Sequence, residues 1–344
     1  MKSQKSNNTL RIALALIIFL FLFVSCTKDL YYVHGTVQEE MNKAVDGGFD
    51  GMIVYVNQGG KSYYYSAGYD DREKQTPANP HALFKIASIS KLYMAAAAAM
   101  LVADQKLSLE STLAELLPET EGKIPYANEI TLKLMIKHRS GILDYGFESE
   151  VPDETFDDYM SFAARVYDKE AAFKPDNKYG YSNSNYLLLG EIMDRTLGYS
   201  HQDYIQTEIL DPLGLINTYK DYKDSDTSSI MKGYLIDWEP HLRAWDFPLP
   251  GGNMVATAED VGTFLRALID GTLLTDKEQE IYTSIYEYEH TGWLPGYTSI
   301  ARYHSDIDAV VVQFVNTSGK EVLWLKLRRV YNRIVRCIEK EKLQ

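Results

Sequence analysis

The sequence predicts a mixed α/β protein: an antiparallel sheet flanked by helices and built from both ends of the chain, with an all-helical lobe inserted between them. Near the start, residues 51–67 form two β-rich stretches separated by the turn dipeptide Gly59-Gly60, which is a hairpin pattern. Near the end, β-rich residues 297–315 precede a long helical pattern at 322–339. Helical patterns fill the part between, and this segregation of strands and helices indicates the fold class.

Helices are predicted where apolar residues recur with helical spacing and capping signals flank them. Thr257-Ala258-Glu259-Asp260 has the pattern of a capping box, and Gly198 and Gly271 are expected to end helices. The predicted helices cover residues 37–45, 87–103, 131–137, 156–167, 185–197, 204–210, 258–269, 276–285 and 322–339, with a short helix inside 107–117.

The composition suits one folded unit that follows a leader. Of the 344 residues, 45% are hydrophobic and 24% are charged. We therefore expect a single domain over residues 26–344. Its mixed lobe would comprise residues 34–104 and 251–344, and its helical lobe residues 105–250.

Residues 1–25 have the pattern of a signal peptide, because three cationic side chains precede an apolar run that is too short to span a membrane comfortably. Leu22-Phe23-Val24-Ser25-Cys26 resembles a bacterial lipobox, in which Cys26 becomes the lipidated first residue. The expectation is an exported protein that a lipid on Cys26 anchors to the bacterial cell envelope, at the periplasmic face or the cell surface. The alternative is an uncleaved N-terminal anchor.

Charge and cysteine content exclude several classes of partner. The formal net charge is −13, and it becomes −16 when residues 1–25, with three cationic and no acidic side chains, are removed. Such a surface repels phosphate backbones, so no nucleic-acid partner is expected. Cys337 is the only cysteine besides Cys26, so lipidation leaves no pair for a disulfide. The seven histidines show no close ligand spacing, and neither a metal nor a cofactor is predicted.

Candidate chemistry begins at Ser88-Ile89-Ser90-Lys91, which opens an alanine-rich helix. Positions i and i+3 of a helix share a face, so the Ser88 hydroxyl and the Lys91 amine can meet. A serine becomes a nucleophile when a base takes its proton, and a buried lysine loses its charge readily enough to be that base. The helix N-terminus adds N–H groups where an oxyanion would form. Ser25–Lys28 and Ser229–Lys232 share the spacing, but neither opens a long apolar helix.

Two further motifs suit the same chemistry. Tyr181-Ser182-Asn183 stands before a strongly apolar helix and offers a phenol to carry a proton and an amide to hold a substrate. His290-Thr291-Gly292 stands ahead of a β-rich stretch, where a strand can present N–H groups to an acyl oxygen. Tyr55–Asn57 and Tyr126–Asn128 match the first of these patterns, and Tyr126 is the stronger rival because it also follows Ser88.

In this order, Ser88-x-x-Lys91, Tyr181-x-Asn183 and His290-Thr291-Gly292 resemble the three motifs of penicillin-recognising serine hydrolases, of the kind found in class C β-lactamases and related DD-peptidases. The resemblance implies a β-lactamase/transpeptidase-like fold and assigns Tyr126 to a different segment. Its third motif departs from class C β-lactamases, which have lysine where this chain has histidine. The resemblance extends over about residues 36–316, with further similar segments at 134–141, 173–175, 212–215 and 251–254.

The resemblance implies a serine hydrolase. Ser88 would be the acylated nucleophile, Lys91 and Tyr181 the general base and acid, and the backbone N–H groups of Ser88 and Trp293 the oxyanion hole. The implied substrates are D-amino-acid-containing peptides, as for a DD-carboxypeptidase or a D-aminopeptidase. An esterase or weak β-lactamase of the same fold, or a penicillin-binding sensor that does not turn over, remain as alternatives.

The remaining motif residues would bind the substrate. Asn183 would orient its amide, while His290 and Thr291, with Gly292 beside them, would meet its carboxylate. An unperturbed histidine loses its charge near pH ~6.5. Recognition of carboxylates, β-lactams included, is therefore expected to weaken as His290 deprotonates between about pH 5.5 and 8.5.

Overall fold

The computed structural model describes residues 35–145, 158–319 and 321–341. The predicted leader, Cys26 and the first residues of the helix predicted at 156–167 lie outside the described residues. The α-helices of the described residues are α1 Val37–Asp46, α2 Ser90–Ala103, α3 Leu113–Leu116, α4 Leu132–Ile136, α5 Tyr159–Ala163, α6 Ser184–Leu197, α7 His201–Ile205, α8 Ala258–Asp270, α9 Asp276–Ile285 and α10 Glu321–Glu341. The strands are β1 Gly51–Gln58, β2 Lys61–Asp71, β3 Thr76–Pro77, β4 Phe84–Lys85, β5 Thr218–Tyr219, β6 Tyr234–Leu235, β7 Val255–Ala256, β8 Glu289–Leu294, β9 Tyr297–His304, β10 Ala309–Val315 and β11 Thr317–Ser318.

Six strands form an antiparallel sheet in the order β3-β2-β1-β10-β9-β8. The hairpin β1–β2 pairs through β1 with β10, so that Tyr55 lies opposite Val312. The first and last thirds of the chain therefore share one sheet, which confirms the predicted fold class. β8 is an edge strand of this sheet and carries the His290-Thr291-Gly292 motif.

Helices cover both faces of the sheet. Successive side chains of a strand point to opposite faces. Ile53 and Tyr55 belong to the larger apolar core, which includes α2 and α8. Val54 and Val56 belong to a second core beneath α1 and α10. Since burial of apolar surface is the main stabilising term in folding, the two cores fix the sheet from both sides. Among the described residues, no helix is both long and apolar enough to span a membrane.

Helix α2 runs through the middle of the larger core. Its five alanines at positions 95–99 are all 0% exposed, and their small side chains let neighbouring elements approach the helix axis closely. Tyr93 of α2 stacks on Phe264 of α8, with ring centroids 3.7 Å apart. The first turn of α2 is consequently held rigidly beside the sheet.

Among the described residues of the inserted segment 105–250, the strands are two short ones, β5 and β6. β5 pairs with β7, and β6 pairs in parallel with β11. Both partner strands lie outside residues 105–250, so this part of the inserted segment returns to the mixed lobe. Strands of two residues carry no periodic signal, which is why the sequence pattern did not reveal them.

Helix α8 begins with half of the predicted capping box. The Thr257 hydroxyl accepts a hydrogen bond from the Asp260 N–H at 3.2 Å. The Thr257 N–H donates to the Asn217 carbonyl, at 3.2 Å, and not to the Asp260 carboxylate. The Asp260 carboxylate accepts instead from the Asn217 N–H and the Thr218 hydroxyl, at 2.9 and 3.0 Å. The Asp260 side chain therefore links α8 to β5 through hydrogen bonds.

Candidate active site

Ser88 lies in a 3-10 turn, Ala87–Ile89, that leads directly into α2. The N–H groups of a first helical turn have no acceptor within the helix, so they are free to face a ligand. The Ser299 hydroxyl and the Met254 carbonyl hold this turn through Ile86, at 2.9 and 3.1 Å. Ala87 has a φ of 53°, a left-handed conformation that is strained for a residue with a side chain.

Strand β8 lies against this turn, and the contact requires a glycine. A Cβ on Gly292 would be 2.4 Å from the Ile86 carbonyl oxygen and 2.2 Å from Ser299 Oγ. The first of these atoms belongs to the backbone and cannot rotate away. Gly292 therefore has a steric reason to be glycine, because any side chain would push β8 away from Ser88.

Ser88 Oγ lies within hydrogen-bonding distance of Lys91 Nζ, at 3.1 Å, and of Tyr181 Oη, at 2.9 Å. Lys91 is 1% exposed and also donates to Asn183 Oδ1 at 3.0 Å and to the Gly251 carbonyl at 2.8 Å. These three acceptors match the three N–H bonds of an ammonium. A neutral amine has two N–H bonds and a lone pair. It can keep Asn183 and Gly251 as acceptors and accept the Ser88 hydroxyl proton.

Lys91 and Tyr181 have pKa values shifted in opposite directions. Burial lowers the pKa of Lys91 from 10.5 to about 7, and the Asp144 carboxylate opposes the shift. Roughly half of the molecules therefore carry a neutral amine at neutral pH. Burial raises the pKa of Tyr181, the hydrogen bond with Ser88 opposes this, and Asp144 adds to it. Such a pair suits a base and an acid.

Asn183 is held at both ends of its amide. Its Oδ1 accepts from Lys91 and, at 3.3 Å, from Tyr181, and its Nδ2 donates to Asp144 Oδ2 at 3.0 Å. The Asn183 backbone N–H donates to the same oxygen at 2.9 Å. One amide N–H of Asn183 remains for a substrate. Asp144 is a site residue that the sequence did not reveal, because it lies 39 residues from Asn183 and in none of the motifs.

His138 is a second residue that was not predicted for the site. It is 3% exposed, and its ring centroid lies 4.4 Å from that of Tyr181. Burial, with smaller contributions from Lys91 and His290, lowers its pKa to about 3. Its Nδ1 accepts from the Ser182 N–H at 3.3 Å, so the neutral ring carries its proton on Nε2. Among the described residues, Nε2 has no hydrogen-bond partner.

His290 is half-buried in β8 and is neutral. Its Nδ1–H donates to the Thr291 carbonyl at 2.5 Å, which leaves Nε2 as a hydrogen-bond acceptor. Burial and the nearby Lys91 lower its pKa to about 3. The expectation that His290 would lose its charge near pH ~6.5 is therefore wrong. The residue type is visible in the sequence, whereas burial and the cation of Lys91, from another segment, determine the charge of His290.

The N–H of Trp293 points away from the sheet at its free edge. The dipeptide Pro295-Gly296 joins β8 to β9, and a two-residue turn is closed by a hydrogen-bonded pair, here Leu294 and Tyr297. Pairs alternate along an antiparallel ladder, so Trp293 and Thr298 form a non-hydrogen-bonded pair with N–H groups directed outward. Trp293 lines the same cleft as Ser88.

A cleft of about 550 Å³ opens over Ser88. Lys91 lies beneath it, and Gly292 packs behind it against the nucleophile turn. The structure thus brings the residues of all three motifs together, while Cys26 lies outside the described residues. The predicted site residues that line the cleft are Ser88, Tyr181, Asn183, His290, Thr291 and Trp293.

The rival motifs have other partners. Lys232 pairs with Asp71 at 2.6 Å, and the Ser229 hydroxyl donates to Asp226. Asn128 donates to Glu121 at 3.0 Å, so the Tyr126–Asn128 pair is tied to its own loop. Over residues 35–145, 158–319 and 321–341, no group of histidine, cysteine and acidic side chains could hold a metal ion.

The turn that carries the Ser88 nucleophile is fixed between a buried helix and the edge of a sheet. A lysine and a tyrosine contact its hydroxyl, which is the arrangement of a serine hydrolase. The sequence matches the profile of the beta-lactamase family over residues 33–334. Because this match covers most of the chain, the protein belongs to the beta-lactamase family, within the superfamily that includes penicillin-binding proteins.

Individual relatives are distant. PbpX of Bacillus subtilis (strain 168), named as a candidate penicillin-binding protein, is 24% identical over 326 residues, which are 88% of this chain and 79% of PbpX. A beta-lactamase of Escherichia coli (strain K12) is 26% identical over 245 residues, or 70% of this chain and 63% of the relative, so the chain spans less than two thirds of that protein. A solved D-amino acid amidase from Ochrobactrum anthropi SV3, in complex with L-phenylalanine amide, has a similar fold. Its TM-score is 0.79, with 23% identity over 89% of this chain and 98% of the amidase.

Proposed function

We propose that this protein transfers acyl groups through an ester on Ser88 and acts on D-amino-acid-containing peptides or amides, in the manner of a DD-carboxypeptidase or D-aminopeptidase. One observation carries the proposal: Ser88 Oγ is in contact with both Lys91 Nζ and Tyr181 Oη. The fold shared with a D-amino acid amidase and the similarity to penicillin-binding proteins support the substrate class.

In the acylation step, neutral Lys91 takes the hydroxyl proton of Ser88, and Oγ attacks the substrate carbonyl. The oxyanion accepts hydrogen bonds from the N–H groups of Ser88 and Trp293, which supply the largest stabilisation of the tetrahedral intermediate. When the C–N bond breaks, the Tyr181 phenol gives its proton to the leaving nitrogen. The Lys91 ammonium then returns its proton to the Tyr181 phenolate, which is the stronger base, so the ester stands beside a neutral Lys91 and a Tyr181 phenol.

Deacylation uses water in place of the Ser88 hydroxyl. A water molecule gives its proton to neutral Lys91 as its oxygen attacks the ester carbonyl. The Ser88 oxygen then leaves and takes the proton held by Lys91. The cycle ends with neutral Lys91, a Tyr181 phenol and a Ser88 hydroxyl, so every proton is accounted for.

Asn183, Thr291 and His290 are proposed to position the substrate. The remaining N–H of Asn183 suits a carbonyl on the acyl side of the scissile bond. Thr291 lines the cleft over Ser88. Because His290 is neutral, its Nε2 offers a lone pair and not a charge to the substrate.

Covalent labelling tests the proposal. A fluorophosphonate or a labelled penicillin should add to the wild type at Ser88, as read by intact-mass and peptide mass spectrometry, and should not add to Ser88→Ala. Lys91→Ala should lose about 10²-fold or more of the labelling rate, as expected for a missing general base. Equal adducts on wild type and Ser88→Ala would refute the proposal. A D-peptide and an ester of matched acyl group then distinguish a peptidase from an esterase.

A further inference from the structure

A second compartment lies on the other side of Tyr181 and His290 from Ser88. We call the cleft over Ser88 the acyl compartment and this second one, of about 540 Å³, the flanking compartment. Its walls come from the Ile136–Arg139 stretch, from the end of α9 and from Arg302. The two compartments meet, because they share the lining residues Tyr179, Tyr181, His290, Thr291 and Arg328.

The direction of proton transfer indicates which part of the substrate lies in each compartment, provided that the proposed function holds. Tyr181 Oη is 2.9 Å from Ser88 Oγ and delivers a proton to the leaving nitrogen. The leaving group must therefore emerge on the Tyr181 side of the scissile bond. The acyl part is left over Ser88, beside Asn183. Tyr181 forms part of the shared boundary, so a leaving group of any length continues into the flanking compartment.

The flanking compartment contains a buried hydrogen-bond donor that lacks an acceptor. His138 lines it, is 3% exposed and carries a proton on Nε2, which has no partner among the described residues. A buried donor without an acceptor is costly and uncommon in folded proteins. An oxygen atom of a bound leaving group would satisfy it, and a peptide carbonyl is the commonest such oxygen.

The walls of the flanking compartment are polar and carry charges of both signs. Arg302 pairs with Glu289 at 2.5 Å, and Arg139 pairs with Asp176 at the same distance. In a protein of net charge −13, cations outnumber acids here, which suits the carbonyl and carboxylate oxygens of a peptide. The charged residues of the lining are Lys137, Arg139, Arg302 and Arg328, with Glu287 and Glu289.

We infer that the flanking compartment binds the leaving-group part of a peptide that continues at least two residues beyond the scissile amide, with the His138 Nε2–H donating to one of its carbonyl oxygens. A compartment of about 540 Å³ falls in the range that encloses a drug-sized ligand, far larger than ammonia. The bond that breaks joins the acyl carbon to the leaving nitrogen, and that nitrogen takes its proton from Tyr181. The enzyme is therefore suited to cleavage within a peptide chain.

Substrates of constant acyl group test the inference. Three substrates share the N-acetyl-D-alanyl group and differ in their leaving group, which is ammonia, D-alanine or D-alanyl-D-alanine. The value of kcat/KM is measured for each. The wild type should prefer the D-alanyl-D-alanine leaving group to ammonia by about tenfold. Thr283→Trp fills the compartment from its exposed rim, and His138→Phe keeps the ring but removes the donor. Each should lower this preference about tenfold. Thr283→Ala, the matched control, should leave it unchanged.

A binding measurement separates this inference from the proposed function. In the Ser88→Ala variant, calorimetry should detect the binding of D-alanyl-D-alanine. Adding His138→Phe to this variant should weaken that binding about tenfold. A preference for ammonia, a preference that Thr283→Trp leaves intact, or absent dipeptide binding would each overturn the inference, even if Ser88 is acylated. Dipeptide binding without any acyl-enzyme would instead refute the proposed function, and the bound dipeptide would then not be a leaving group.

Discussion

The protonation state of Lys91 should set the acidic limb of the pH profile of kcat/KM. Its pKa of about 7 makes the neutral base about one tenth of the population at pH 6 and about nine tenths at pH 8. An unperturbed lysine would be neutral in less than about one molecule in a thousand at pH 7, so burial raises the population of the base about a thousandfold. We expect kcat/KM for a neutral substrate such as N-acetyl-D-alaninamide to rise about tenfold from pH 6 to pH 8.

Asp144→Asn should move this limb to lower pH. The Asp144 carboxylate favours the charged form of Lys91, and its loss should lower the pKa of that lysine by about one unit, the small end of the range for a nearby opposite charge. The absolute rate should also fall, because Asn183 loses a charged acceptor. The diagnostic quantity is therefore the midpoint of the limb, fitted between pH 5 and pH 9, and not its height.

Lys85 provides the control for this assignment. Burial lowers its pKa to about 7 as well, and its ammonium donates to the Leu242 carbonyl at 3.1 Å, away from Ser88. Lys85→Arg keeps the charge throughout the range and should leave the midpoint unchanged. The two histidines of the site, with pKa values of about 3, do not titrate there. A midpoint that rises in Asp144→Asn, that disappears in Lys85→Arg, or that lies near pH ~10 would refute the role given to Lys91.

Three further predictions concern other groups of the chain. One prediction compares kcat/KM for a substrate ending in a carboxylate with kcat/KM for a matched neutral substrate. The ratio of the two should stay constant in the wild type between about pH 5.5 and 8.5, because His290 stays neutral. A ratio that falls with a midpoint near pH ~6.5 would show that His290 is charged at the acidic end of this range. Lys91→Met should raise the free energy of unfolding at pH 6 by about 2 kcal/mol, because it removes a charge whose burial costs about 5 kcal/mol and three hydrogen bonds worth about 3 kcal/mol together. At pH 9 the cost of burying the charge has fallen to about 2 kcal/mol, so the same substitution should lower the free energy of unfolding slightly. Urea titrations at the two pH values measure the sign of the change in stability. We also propose that a lipid on Cys26 anchors the protein to the cell envelope, so a metabolic fatty-acid label should mark the wild type, and its persistence in Cys26→Ser would contradict the lipobox.

Much of the fold and the arrangement of the motifs followed from local patterns. The Ser88–Lys91 contact needs only a helical turn, and the hairpin and the closing strands show in short β-rich runs. Short-range geometry is nearly independent of the rest of the chain, so the sequence predicts it well. The two-residue strands β5 and β6 escaped prediction because only their distant partners define them.

The residues that the sequence did not reveal act across long separations. Gly251 supplies a carbonyl to Lys91 from 160 positions away, and its φ of 76° explains why that position is glycine. Asp144 fixes Asn183, and His138 packs on Tyr181, from a segment to which the motifs assigned no chemical role. Tertiary packing alone creates these contacts, and no spacing rule within one segment predicts them.

The charge of the site is also a property of the packing. Lys91 is buried and His290 is half-buried beside it, and the charge of Lys91 disfavours the charged form of His290. Near neutral pH the site can thus hold one proton on Lys91 and none on His290. A substrate carboxylate would then find little positive charge at His290, whereas a substrate N–H would find a lone pair on its Nε2. Because replacement by lysine would add a second cation beside Lys91, histidine at this position favours both a neutral catalytic base and substrates that donate a hydrogen bond there.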